Sequence, residues 1–264
     1  MPLNWQGQPA AAWYGLSAVH ANPVHTRIGL IIPSSNRLTE PHMQRYAPEG
    51  VQAHVTRLRM TGDHHVPLSE LLPRVVEATA ELADAGCDAI VFHCTAASME
   101  AGLSGEQQVL EAMRSATHAI VATTATAVLG ALHALEVRRI ALFSPYVAAT
   151  HAHEVAFLAE AGFEVIGGEC LGLPGGDEFV SIAADEWLRL AASQTPPEAD
   201  GVFLSCTNIH APEIIAPLEQ ALARPVVTSN QAVLWYALRA CGLDDGVPRL
   251  GSLLEPGRLQ VRTV

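Results

Sequence analysis

Asp88-Ala89-Ile90-Val91-Phe92-His93-Cys94-Thr95 is a short apolar run closed by small polar residues, and Asp200-Gly201-Val202-Phe203-Leu204-Ser205-Cys206-Thr207 repeats its plan. Runs of this kind, rich in β-branched and aromatic residues, read as buried strands that end in a loop. Each of the two strands therefore delivers a cysteine, followed by a threonine, to its carboxyl end. The spacing is 112 residues, and the same offset relates Arg27-Ile-Gly-Leu-Ile-Ile-Pro33 to Arg139-Ile-Ala-Leu-Phe-Ser-Pro145. The chain reads as two copies of one α/β unit. If the copies pack about a pseudo-twofold axis with their strand ends toward a shared cleft, the two cysteines face each other across it.

Working outward, further strands are expected at 28–32, 51–60, 119–122, 139–143, 163–166 and 225–228. Helical spacing falls at about 68–85, 105–116, 125–135, 151–161, 180–193, 212–223 and 231–241, with Pro73 expected to kink its helix or mark its first turn. Alternating strands and helices predict parallel sheets covered on both faces. The expected architecture is two pseudosymmetric flavodoxin-like units with the active site in the cleft between them. Residues 1–25 read as an N-terminal arm carrying Trp5, Trp13 and Tyr14, packed on the body or a neighbouring subunit, or serving as a lid. The first unit is placed at 26–125, the second at 126–229, and the C-terminal 230–264 is expected to pack back on the first.

A length of 264 residues suits two modest units, and 49% hydrophobic with 16% charged residues describes a globular chain. A net charge of −12 without a basic cluster argues against nucleic acid and against an anionic membrane surface. An anionic substrate then needs locally placed donors. Five cysteines without a small-scaffold spacing indicate free thiols in a reducing cytoplasm, and there is neither a leader pattern nor an apolar run long enough for a membrane span.

A thiol serves as a nucleophile or, with a lowered pKa, as an acid or base near neutrality, and a strand end followed by a helix start supplies the field that lowers it. Cys94 and Cys206 fit this pattern, while Cys87, Cys170 and Cys241 read as small buried hydrophobes. A metal set of His93, Cys94, Cys206 and His210 is disfavoured, since His93 and Cys94 adjoin on a strand and point to opposite faces. Other histidines, such as His64 with His65 and His151 with His153, read as surface or loop residues. Neither a Gly-x-Ser-x-Gly elbow nor a phosphate-cradling glycine loop is present.

The order Pro33-Ser34-Ser35-Asn36, Cys94, Ser144-Pro145-Tyr146, Cys206 resembles the aspartate/glutamate racemase superfamily from about residue 26 to about 245. Within it, the first and third elements look most like maleate cis-trans isomerases and the related arylmalonate decarboxylases. The resemblance implies Cys94 as nucleophile, Cys206 as proton donor or acceptor, and Asn36 and Tyr146 as neutral holders of a carboxylate. Ser35, Thr95, Thr207 and Asn208 complete the expected substrate site, with the backbone N–H groups around the two threonines serving developing negative charge. A cofactor-independent isomerase of a small dicarboxylate, of the maleate-to-fumarate type, is the implied function, without metal or cofactor and as a homo-oligomer. The alternatives are a two-thiol amino-acid or hydantoin racemase, an arylmalonate-type decarboxylase that needs only Cys206, and a carboxylate-binding protein that needs neither thiol. One departure stands out: maleate isomerases carry an Asn in the loop where this chain has Gly175-Gly176-Asp177-Glu178. Either Asp177 points away from the substrate or the substrate is not maleate.

Overall fold

Eight parallel strands form two four-stranded sheets in the computed structural model, which describes residues 24–60 and 66–256. The first contains β1 (Thr26–Pro33), β2 (Val51–Leu58), β3 (Ala89–Phe92) and β4 (Ile120–Thr123) in the order β2-β1-β3-β4. The second contains β5 (Arg139–Ser144), β6 (Glu164–Cys170), β7 (Gly201–Leu204) and β8 (Val226–Thr228) in the order β6-β5-β7-β8. This is the flavodoxin-like winding, twice. The repeat extends to single hydrogen bonds: Arg27 N donates to Asp88 Oδ2 at 2.8 Å, and Arg139 N donates to Asp200 Oδ2 at 2.8 Å. The aspartate that opens each cysteine-bearing run thus fastens it to the start of the neighbouring strand.

Among the described residues ten α-helices accompany the strands: α1 (Thr39–Tyr46), α2 (Leu68–Asp84), α3 (Thr95–Met99), α4 (Gly102–Ala116), α5 (Thr124–Ala134), α6 (Ala148–Glu160), α7 (Gly176–Ser181), α8 (Ala184–Gln194), α9 (Ile215–Leu222) and α10 (Ser229–Ala240). Strand side chains alternate between two cores, as a period of two requires. Ala89 and Val91 face the large core shared by both sheets, whereas Ile90 and Phe92 face a smaller one beneath α2 and α4. No helix among the described residues is long and apolar enough to cross a membrane.

The two units meet through α5 and α10, which pack on each other and reach β8 as well as β4 and β3. Each helix begins at a strand end without a loop, because Thr123 and Thr228 form capping boxes with Thr126 and Gln231. Val128, Leu132, Val233, Leu234 and Leu238 are buried in this seam, each contributing about 2 kcal/mol of hydrophobic stabilisation.

Several boundaries differ from the expectations. A helix starts at Thr95, directly after Cys94, where the sequence suggests a loop up to Gly105. The helix expected at 180–193 is two, α7 and α8, and the strand expected at 163–166 runs on to Cys170. β2 stops at Leu58, and Pro73 sits inside α2 rather than in its first turn. β6 carries an extra residue between the partners of Ile140 and Ala141, and Gly168, at φ 114°, fits there because a Cβ would lie 1.9 Å from the Leu142 carbonyl oxygen. Trp5, Trp13, Tyr14, His64 and His65 lie outside the described residues.

Candidate active site

The turns that follow β3 and β7 are joined by one serine. Thr95 Oγ1 donates to Ser229 Oγ at 2.8 Å, and Ser229 Oγ accepts from Cys206 N at 3.2 Å. Cys94, Cys206 and Tyr146 lie close enough that a charge on one is felt by the others. The strand ends therefore bring both thiols to one place, with 3% exposure at Cys94 and 5% at Cys206.

The sulfurs meet different donors. Cys94 has the Ala97 N–H. Cys206 has the Tyr146 hydroxyl and the Asn208 N–H, the latter at 3.3 Å. Burial pushes each thiol up to about 12 against these donors. The lowered pKa expected from strand-end placement is thus not met: α3 is only five residues long, and desolvation outweighs the few N–H groups it offers. The N–H donors to the sulfurs, Ala97 and Asn208, lie within two residues of Thr95 and Thr207.

Asn36 spends its oxygen within its own loop and its nitrogen on Thr207, whose carbonyl also accepts from Nδ2 at 3.3 Å. Oδ1 accepts from Leu38 N at 3.1 Å and Thr39 N at 2.9 Å, capping the entry to α1, so the amide cannot be flipped without losing both bonds. Nδ2 is thereby aimed across the units at Thr207 Oγ1, 2.9 Å away. The loop itself is held by Arg57 of β2, whose guanidinium donates to the carbonyls of Ser34 at 3.2 Å and Asn36 at 2.8 Å. Ser35 Oγ bonds the Met60 carbonyl at 3.2 Å, and a Cβ on Gly176 would meet its side chain at 3.3 Å, which places Ser35 beneath the start of α7.

Asn208 ties that same segment down. Its Oδ1 accepts from Arg37 N at 2.8 Å and its Nδ2 donates to Gly176 O at 3.3 Å. Asp177 is exposed and ion-paired with the Arg37 side chain, so it points away from the thiols. Tyr146 is wedged between Cys206 and Phe179 of α7, with ring centroids 5.5 Å apart at a tilt of 76°. Its backbone carbonyl is fixed by Gly172 N at 3.0 Å, so the segment after β6 positions the tyrosine.

Beneath the site runs a buried chain of side chains of which sequence reasoning considered His93 and His210 as metal candidates and overlooked His42, Glu213 and Asn230. His93 Nε2 donates to Asn230 Oδ1 at 2.7 Å while Nδ1 accepts from Thr124 Oγ1 at 3.0 Å, and burial lowers this histidine to about 4. Asn230 Nδ2 donates to His42 Nδ1 at 2.7 Å, and His42 Nε2 meets Glu213 Oε1 at 3.0 Å. His42, His210 and Glu213 have ligand atoms within 4.8 Å of one another. Yet Asn230 Nδ2 also donates to Thr207 O at 3.1 Å, so His42 Nδ1 must accept and Nε2 must carry a proton. That tautomer leaves His42 no free lone pair for a metal ion, and the set is a hydrogen-bonded strut between units. His210 stands in this strut, apart from the metal set first considered. His151 is half-buried on α6 and bonded to Ser144 Oγ at 2.8 Å, while His153 is exposed.

A second side chain missed in the sequence is Glu154 of α6, fully buried and bonded to Ser205, the neighbour of Cys206. A lone acid on a helix surface pattern carries no local sign of burial.

A model of the arylmalonate decarboxylase family matches residues 28–254, and the chain belongs to this family. It is similar to the maleate isomerase of Pseudomonas putida, 29% identical over 245 residues that cover 87% of this chain and 97% of the relative. It is 32% identical over 174 residues to the arylmalonate decarboxylase of Bordetella bronchiseptica, covering 65% and 72%. A solved cysteine-to-serine mutant of the Nocardia farcinica maleate cis-trans isomerase, with a covalently bound succinylcysteine intermediate, superposes with a TM-score of 0.80 at 26% identity over 87% of this chain and 98% of that one. The protein is thus an enzyme of a family that contains both isomerases and decarboxylases, and the fold expected from the repeat is the fold of these relatives.

Proposed function

We propose that the protein isomerises a small cis-dicarboxylate, of the maleate-to-fumarate type, through Cys94 and Cys206. The observation that carries this reading is the pairing of two buried thiols from equivalent strand ends with neutral donors on each side. Adjacent thiolates repel, so the pair carries at most one negative charge. Cys206, whose sulfur meets two donors, is the better resting place for it. The Cys206 thiolate takes the Cys94 proton as the Cys94 sulfur adds to an alkene carbon, and the displaced electron pair passes into the adjacent carboxylate. Cys206 then returns the proton to the second carbon, which leaves a succinyl thioether with a freely rotating single bond. After rotation the Cys206 thiolate removes a proton, the C–S bond breaks with its electron pair left on the Cys94 sulfur, the trans diacid leaves, and Cys206 passes the proton back to Cys94. In this scheme Asn36 Nδ2, released from Thr207, holds one carboxylate, and the Tyr146 hydroxyl turns from the sulfur to the other whenever Cys206 is protonated, with Thr95, Thr207, Ser35 and Asn208 around them.

The decarboxylase reading draws on the family match and on the Bordetella relative. It needs one thiol, so it leaves Cys94 without a role. Proton NMR of the enzyme in deuterated water with maleate, an arylmalonate and a chiral amino acid separates these outcomes. Fumarate signals are expected. Loss of carbon dioxide from the arylmalonate without fumarate formation would replace the proposal with the decarboxylase, and exchange at the amino-acid α-carbon alone would replace it with a racemase.

A further inference from the structure

Glu154 has no part in the chemistry just described, and its surroundings are unusual for an acid. Oε1 accepts from Ser205 Oγ at 2.6 Å, whereas Oε2 is shut away from solvent without a partner. An ionised carboxylate with one oxygen bare is strongly disfavoured there, while a neutral carboxyl leaves only an uncharged group short of a partner, at a much smaller cost. Ser205 immediately precedes Cys206, and a charge on Glu154 is felt by Cys94, Cys206 and Tyr146 alike.

We propose that Glu154 is a positioning residue that governs the charge of the active site: as a neutral acid it seats Ser205 beside Cys206 and admits an anionic substrate, and as a carboxylate it opposes both the thiolate and the bound anion. The second half of the statement rests on the dicarboxylate reading. Burial pushes Glu154 up to about 8 against the Ser205 bond, so the change of state falls on the alkaline side of neutrality. No cation from the packed elements offsets it. On α3 and its flanks only Cys94 and Glu100 titrate, and on α4 Glu106 is turned to Thr123 and Thr126, with Glu111 and Arg114 exposed. β6 presents exposed Glu164 and Glu169 with Cys170, and α6 itself presents His151, bound to Ser144, and exposed His153 and Glu160.

The test compares alkylation of the protein by iodoacetate, an anion, with alkylation by neutral iodoacetamide, from about pH 6 to about pH 10. The ratio of the two rates reports local charge and cancels the thiolate fraction. In the wild type the ratio should fall by about tenfold as Glu154 ionises. In Glu154→Gln it should stay level, and the Michaelis constant for maleate should lose its alkaline rise. Equal profiles in the two proteins overturn the proposal. Infrared spectra of the wild type provide a check that needs no variant: a protonated carboxyl band must be present at neutral pH and vanish on the alkaline side, and its absence overturns the proposal too. Alkylation requires no turnover, so a level ratio in an active isomerase refutes the role of Glu154 alone, and a Glu154-dependent ratio in a protein inert toward maleate refutes the isomerase reading alone.

Discussion

Cys94 and Cys206 occupy equivalent places in two copies of one sheet, yet the chain passes through them differently. Cys94 is relaxed, with φ −147° and ψ 111°, and is the residue from which α3 departs. Cys206 has φ 126°, a value that L-residues rarely adopt, and the chain beyond it turns irregularly before a 3-10 turn at Pro212–Ile214 leads into α9. Backbone strain that a fold retains next to a reactive group usually serves geometry. At Cys206 the unusual backbone brings the sulfur to Asn208 N and the Tyr146 hydroxyl together, a donor pair that Cys94 lacks. The lesson is that repeated topology places the two thiols, and the turn after each strand gives their sulfurs different donors.

The most severe way to break this comparison is to exchange the thiols for hydroxyls one at a time. Cys94→Ser should abolish fumarate formation by at least about a thousandfold and remove any adduct from the intact mass, because a serine hydroxyl offers no comparable anion. Cys206→Ser should slow turnover by about a hundredfold while a succinyl adduct on Cys94 remains detectable. Adducts that vanish only in the second variant would reverse the two roles.

Tyr146→Phe acts on one thiol only. The ring can still pack on Phe179, but the hydroxyl that lowers the Cys206 pKa is gone. Alkylation of Cys206, followed by peptide mass mapping, should slow by about tenfold at a given pH and its profile should move to higher pH. Cys94 should keep its profile. A matching shift at both cysteines would mean that the tyrosine serves the pair and not the second thiol.

Much of this was legible in the chain because it rests on repetition. Asp88 and Asp200, β3 and β7, and the two Cys-Thr pairs keep their 112-residue offset in three dimensions. Asn36 and Tyr146 stand on the loops where the residue order put them. What sequence reasoning lost is what depends on packing. α3 is too short to show a helical period, and the split between α7 and α8 falls in a stretch without a strong breaker. Glu154 and Asn230 look like ordinary helix residues until opposing elements bury them. The raised thiol pKa values have the same origin, since a strand end reveals nearby N–H groups but not the desolvation that opposes them.

The smallest effect measures the backbone difference itself. Replacing alanine by glycine in an extended, unstrained position lowers stability, through lost methyl burial and a more flexible unfolded chain. Those losses should be alike at residues 94 and 206, which are both almost completely buried. At 206, however, glycine also relieves the positive φ, which no residue with a Cβ adopts comfortably. The stability gap between Cys206→Ala and Cys206→Gly should therefore be smaller than the gap between Cys94→Ala and Cys94→Gly by about 1 kcal/mol. Urea midpoints of the four variants, with their slopes compared, measure both gaps without requiring catalysis. Equal gaps would show that the two turns are energetically alike, and the proposed division of labour would then have to come from the donors at Cys206 alone.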